Sequence, residues 1–197
     1  MAAMALIGEP SPALRGALSV VADRLHETFD RYPGFEPGAS RRSCVQCALV
    51  VRDFLQSLGI EARVAPVAAV TMAIRDGKPR VLGHVGSEDG KPRNPTRWNG
   101  HIVTIADGYL IDPTLKQVSN VLPEMAAVPL VEGKTSMNLP VLSQLSFGAN
   151  GETIVMQWLD TPRNTYWTKG LEPAANRARR EVMAALRSAC FPTAPKA

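Results

Sequence analysis

His101-Ile102-Val103-Thr104-Ile105-Ala106-Asp107-Gly108-Tyr109-Leu110-Ile111-Asp112 is the stretch that decides the fold. Two short runs of β-favouring residues flank Asp107-Gly108. That dipeptide is a hairpin signal, because Asp and Gly tolerate the positive φ angles a two-residue turn demands. The predicted strands are His101–Ala106 and Tyr109–Asp112. A two-residue turn pairs Ala106 with Tyr109, which sets Val103 opposite Asp112 and His101 opposite Thr114. His101 and Asp112 are then diagonal neighbours on one face, about 7–8 Å apart by backbone and within side-chain reach. A carboxylate beside a histidine fixes the imidazole tautomer and stabilises its protonated form. Taken singly, each residue also has a local explanation: a histidine at a strand edge, and an aspartate in an ordinary Asp-Pro turn before Pro113.

Upstream, Ser43-Cys44-Val45-Gln46 opens a helix predicted over Ser43–Leu58, with Gly59 as its stop. Cys44, Ala48, Val51, Leu55 and Leu58 share one face, and Val45, Leu49 and Phe54 add apolar positions elsewhere, so the helix reads as deeply buried. Ser43 and Gln46 have capping-box spacing. With Ser43 as N-cap, Cys44 sits among free backbone N–H groups at the positive end of the helix dipole. That setting favours the thiolate, which is the nucleophilic form, and Arg41 and Arg42 just upstream add positive charge. The same N–H groups suit the oxyanion of a tetrahedral intermediate. The plainer alternative is a small, buried, inert cysteine.

A cysteine nucleophile needs a base, and the base needs an orienting group. The chain has three histidines, His26, His84 and His101. His26 falls in the first predicted helix and reads as a surface or flank residue. His101 is the one with a carboxylate in register. Trp98 lies just before it and either lines a substrate cleft, lends its indole N–H to an oxyanion, or simply packs at the start of the strand. Gln46 reads as the capping partner of Ser43 before it reads as an oxyanion donor.

The remaining chain supplies a frame. A helix is predicted over Pro12–Arg31, capped by Ser11, with Leu14, Leu18, Val21, Leu25 and Phe29 along one face. Pro and Gly alternate from Tyr32 to Gly38, which is a loop. Ile60 to Ile74 reads as one or two strands, Asp76-Gly77 as a turn, and Lys78 to Gly100 as a polar excursion or hairpin, whose Lys78–Arg97 part is either a candidate substrate-gating loop or a solvated surface hairpin. Pro113 to Leu145 shows no clear regular element. A strand is predicted over Thr153–Leu159 and a last helix over Pro173–Cys190. Helices followed mostly by strands argue an α+β fold, a central helix packed on an antiparallel sheet.

Composition narrows the function. The chain has 197 residues, one-domain size, and needs no staple to bury a core. Its net charge of +4 is spread out and has no aromatic-rich basic motif, which argues against nucleic acid. The apolar start, Met1 to Ile7, is too short for a signal peptide, and no run suits a membrane span. Three cysteines are too few for a disulfide framework and fit a reducing, cytoplasmic setting. The sequence leaves the oligomeric state open.

Cys44, Ala48 four residues on and Gly59-Ile60-Glu61-Ala62-Arg63, followed by His101-Ile102-Val103 and Tyr109-Leu110-Ile111-Asp112-Pro113-Thr114, resemble the transglutaminase-like superfamily of papain-like cysteine acyl-transfer proteins. The likeness spans roughly residues 43–115, with helices 12–31 and 173–190 as decorations of a single domain covering 1–197. The short His-to-Asp spacing is similar to the arylamine N-acetyltransferase branch, whose segment after the Asp differs from Pro113-Thr114-Leu115. The resemblance implies a papain-like core, Cys44 as nucleophile, His101 as base and Asp112 as orienting residue. Peptidase, amidase, deamidase, transglutaminase and acetyltransferase chemistry share the acyl-enzyme step, so the expected substrate is a protein, a peptide or a small amide or thioester. Such chemistry requires no metal or organic cofactor.

Three other readings compete. Cys44-x-x-Cys47 is the layout of a dithiol redox site, which needs a strand leading into Cys44. Cys44, Cys47, His84 and His101 are zinc-ligand types in an unfamiliar spacing. A catalytically silent binding domain of the same fold is the third.

Overall fold

In a computed structural model of the chain, the described residues are 4–32, 40, 43–86, 100–131, 134–136, 139–162, 167 and 173–190. The predicted hairpin forms in the predicted register. β4 (His101–Ala106) and β5 (Tyr109–Asp112) pair Thr104 with Ile111, Ile105 with Leu110 and Ala106 with Tyr109. Asp107 and Gly108 take φ of 49° and 75°, the left-handed values that two-residue hairpin turns require.

Earlier in the chain, the region from Ile60 to Ile74 resolves into one long strand, β2 (Ala62–Arg75). It stays single because two different strands share one of its edges. Its first half pairs with β4, from Ala62↔Ala106 to Val67↔His101. Its second half pairs with β3 (Lys78–Val85), from Ala69↔Val85 to Arg75↔Lys78, around the expected Asp76-Gly77 turn. The excursion expected from Lys78 is therefore a strand as far as Val85, and residues 87–99 lie outside the described part.

The other edge of β2 carries β9 (Glu152–Asp160), which extends the expected Thr153–Leu159 strand and turns at Asn150-Gly151 into β8 (Leu139–Ala149). The unassigned region after Pro113 holds a 3-10 turn at Leu115–Gln117, then β6 (Met125–Pro129) and β7 (Lys134–Ser136). Short Pro- and Gly-broken strands are weak sequence signals because they show too little period to read. Residues Met4–Leu6 form β1, which joins β6 in parallel. Among the described residues, nine strands make one sheet that is antiparallel apart from this pair, a correction to the wholly antiparallel expectation.

Three helices cover one face: α1 (Pro12–Asp30), α2 (Cys44–Ser57) and α3 (Pro173–Cys190). The predicted face of α1 is the buried one, Leu14, Leu18, Val21, Leu25 and Phe29. These residues share a core with Val50, Val51, Phe54 and Leu55 of α2, Ala178, Val182 and Leu186 of α3, and Ala106 and Ile111 of the sheet. The flanking helices thus pack in one layer with α2. Fully burying one Leu- or Val-sized side chain contributes about 1.5–3 kcal/mol, so this layer is a major part of the stability. The opposite face closes a second core, in which Val103, Ile105, Leu110, Met156 and Trp158 meet Leu115, Val118 and Leu122. Among the described residues, no helix is long and apolar enough to cross a membrane. The fold is therefore mixed α and β, a curled, mostly antiparallel sheet with three helices.

Candidate active site

Two elements bring the chemistry together. α2 lies on β4, where the Thr104 hydroxyl donates to the Ala48 carbonyl at 2.9 Å. α2 ends beside the start of β2, which pairs with the end of β4, so the helix runs in the same direction as β4 and its first residue lies towards His101. Cys44 is at that first position, 3% exposed, with Ser43 as N-cap as predicted. The predicted capping box does not form. The Ser43 side chain makes no capping bond to the helix, and its backbone N–H donates instead to the Ser40 carbonyl at 3.0 Å. Gln46 is buried, and its Oε1 has no hydrogen-bond partner. Trp98, Arg41 and Arg42 lie outside the described residues.

His101 and Asp112 are both fully buried and joined by a bond of 2.7 Å, His101 Nε2 to Asp112 Oδ2. The diagonal placement read from the hairpin register thus ends in direct contact. Asp112 also receives three other donors. The Trp158 indole N–H donates to Oδ2 at 2.8 Å, the Thr114 backbone N–H to Oδ1 at 2.9 Å, and the Thr114 hydroxyl to Oδ1 at 3.4 Å. With Nε2 committed to Asp112, His101 has Nδ1 left. That atom is buried outside the geometry of any regular hydrogen bond. Cys44 is among the groups that raise the His101 pKa.

The electrostatics favour an ion pair. Burial alone pushes the His101 pKa down, but the Asp112 charge and hydrogen bond, then Cys44, outweigh it and raise the value from 6.5 to about 10. Burial pushes the Asp112 carboxyl up, and the His101 charge and the donors from His101, Trp158 and Thr114 more than reverse this, so its pKa is lowered. Both shifts favour charged partners, and the two residues titrate as a pair. Four donors on one buried carboxylate supply the compensation that a buried charge requires.

Cys47 sits one turn beyond Cys44, fully buried, and its thiol donates to the Ser40 carbonyl at 3.3 Å. Burial, then the charges of Cys44, Asp30 and Asp112, push its pKa well above the ordinary thiol value. A thiol held in that way is a poor nucleophile. Cys44, Cys47 and Cys190 are all free, and among the described residues no strand leads into Cys44 and no cluster of three His, Cys, Asp or Glu side chains is set to hold a metal.

His26, read from the sequence as a surface or flank residue, is not on the surface. It is buried in α1, and both ring nitrogens are engaged, Nδ1 with the Ser40 hydroxyl at 3.0 Å and Nε2 with the Pro113 carbonyl at 2.8 Å. Trp158, Thr114, His26 and Ser40 are the site residues that sequence reasoning passed over. Only Thr114 had a local signal, its place two residues after Asp112 in an Asp-Pro-Thr turn. A groove of about 550 Å³ opens at the other end of the hairpin, lined by Gly59, Arg63, Asp107 and Gly108 among others, away from this cluster.

Compared with protein-family models, with curated proteins and with solved structures, the chain gives no match.

Proposed function

We propose that this chain is a cysteine-dependent acyl-transfer or amide-hydrolysing enzyme of the transglutaminase-like, papain-like kind, with Cys44 as nucleophile, His101 as base and Asp112 as orienting residue. The observation that carries this reading is the buried 2.7 Å His101–Asp112 bond, with the second ring nitrogen left for Cys44 at a helix start. The central helix on a mostly antiparallel sheet is also what a papain-like core requires.

The chemistry follows from the atoms. In the reactive form the Cys44 proton already rests on His101 Nδ1 as a thiolate–imidazolium pair, and Asp112 stabilises that imidazolium through Nε2. The sulfur attacks the carbonyl carbon of an amide, ester or thioester, and the C=O π pair moves onto oxygen. Backbone N–H groups at the start of α2 face that developing charge. As the tetrahedral intermediate collapses, the bond to the leaving group breaks and Nδ1–H protonates that group. Water or an amine then attacks the thioester carbon, giving its proton to His101; the C–S bond breaks as the carbonyl reforms, and the sulfur leaves as the thiolate paired with the His101 imidazolium.

The test is the pH dependence of iodoacetamide alkylation, located by mass spectrometry, in wild type and His101→Ala. Fast, Cys44-selective labelling at pH 6 that slows in the mutant is the expected result. Slow labelling with an ordinary thiol pKa near ~8.5, indifferent to His101, rejects it. The deep burial of Cys44, His101 and Asp112 favours one second reading, a silent binding domain of the same fold, and that outcome would select it.

A further inference from the structure

We propose that His26 is a positioning residue that holds both halves of this site, the Cys44 helix start and the Asp112 turn, in one frame. The inference rests on the acyl-transfer reading above and extends it to α1, an element that carries none of the three reacting or orienting residues.

His26 spans two segments that the site needs. Through Nε2 it reaches the carbonyl of Pro113, the residue bonded to Asp112. Through Nδ1 it reaches the hydroxyl of Ser40, whose carbonyl accepts both the Ser43 backbone N–H at 3.0 Å and the Cys47 thiol at 3.3 Å. Those two groups belong to the N-cap and first turn of α2, on either side of Cys44. A single buried ring thus ties the nucleophile's helix end to the carboxylate's turn.

The donor pattern is determined by chemistry. A carbonyl only accepts, so Nε2 carries a hydrogen. The single hydroxyl hydrogen of Ser40 goes to Asp30 Oδ1 at 2.7 Å, so the Ser40 oxygen accepts from Nδ1. His26 donates at both ends, the hydrogen-bonding pattern of an imidazolium. Neither side of the clamp is replaced by an apolar ring of equal size. Displacing a reacting group by about 1 Å costs on the order of 100-fold in rate, so a clamp at this position bears on activity as well as folding.

The experiment compares His26→Phe, His26→Gln and His26→Asn with wild type and with Ile154→Ala, a core truncation near the far end of β2 that serves as a stability-matched control. Two readouts are taken on the full chain: the Cys44 iodoacetamide rate and the ¹⁵N resonances of the His101 ring. His26→Phe is expected to slow labelling by about 10-fold beyond the control and to shift the His101 signals. His26→Gln keeps a donor near the Nε2 position and is expected to recover most of the rate, whereas His26→Asn keeps only the Ser40 side and recovers little. Should His26→Phe fail to fold, the Gln and Asn pair carries the same comparison. Rates and His101 signals that follow thermal stability alone, in line with Ile154→Ala, overturn the proposal. If wild-type labelling proves indifferent to His101→Ala, the acyl-transfer reading has failed separately. The clamp is then judged on the His101 signals, which either move with His26 or reject it.

Discussion

Trp158 donates its indole N–H to Asp112 at 2.8 Å, on the same carboxylate oxygen that binds His101. Trp158 belongs to β9 and Asp112 to β5, with β2 and β4 between them in the sheet. The sheet's curl closes that gap, and Ala65 and Ala69 on the intervening strand leave room on the same face. The bond makes Trp158 an anchor for the carboxylate. Trp158→Phe keeps the ring and deletes the donor. It is expected to cost about 1–3 kcal/mol of stability in urea titrations, the scale of one lost bond to a buried charge. It is also expected to raise the pH at which acid begins to unfold the protein, because Asp112 loses one of the groups holding its pKa down.

Stability should depend on pH in a direction set by the His101–Asp112 pair. His101 has a raised folded-state pKa, so its contribution is complete below about pH 6.5 and is lost as pH climbs towards about 10. Asp112 has a lowered one, so its contribution is complete above about pH 4 and is lost as pH falls. The expected optimum lies between these limits, with a decline between pH 6.5 and 8.5 of at least about 1.4 kcal/mol, the equivalent of one pKa unit. Asp112→Asn removes the counter-charge and is expected to flatten that decline. Melting temperatures across pH 4–9 for both proteins check it.

Cys47 is expected to be chemically silent. In Cys47→Ala, iodoacetamide should still label Cys44 selectively, with a stability loss of about 1 kcal/mol, the scale of one methyl-sized group removed from a core. In Cys44→Ala, fast labelling should disappear and Cys47 should not take it over, since burial holds its thiol protonated. Equal labelling of both cysteines in wild type would reject the assignment of the nucleophile.

Thr104→Val tests how α2 is docked. The hydroxyl bonds to Ala48 one turn below Cys44, and valine has nearly the same shape. A loss of about 1 kcal/mol with an unchanged urea m-value is expected. No loss would mean that packing alone seats the helix.

Much of the fold was legible in the sequence because the information is local. Ser11 accepts from the Leu14 N–H at 3.3 Å where α1 was predicted to begin, and Gly59 takes φ of 78° where α2 was predicted to stop. The Asp107-Gly108 turn set a register that left His101 and Asp112 no choice but to meet. Where local cues compete, sequence reading failed. Ser43 and Gln46 have capping-box spacing, yet the Ser43 N–H goes to Ser40, a partner that the preceding chain supplies.

By itself the sequence determined the local placements on which the proposed chemistry rests: turn type, cap position and strand period act over a few residues, and they place Cys44 at a helix start and His101 beside Asp112. Only the tertiary structure decided what holds them there. Trp158 is 46 residues from Asp112 along the chain, and His26 is 87 from Pro113. Such partners are chosen by how the sheet curls and how α1 packs on α2. A buried donor is satisfied by whichever acceptor the packing brings within about 3 Å, and no local pattern encodes that choice.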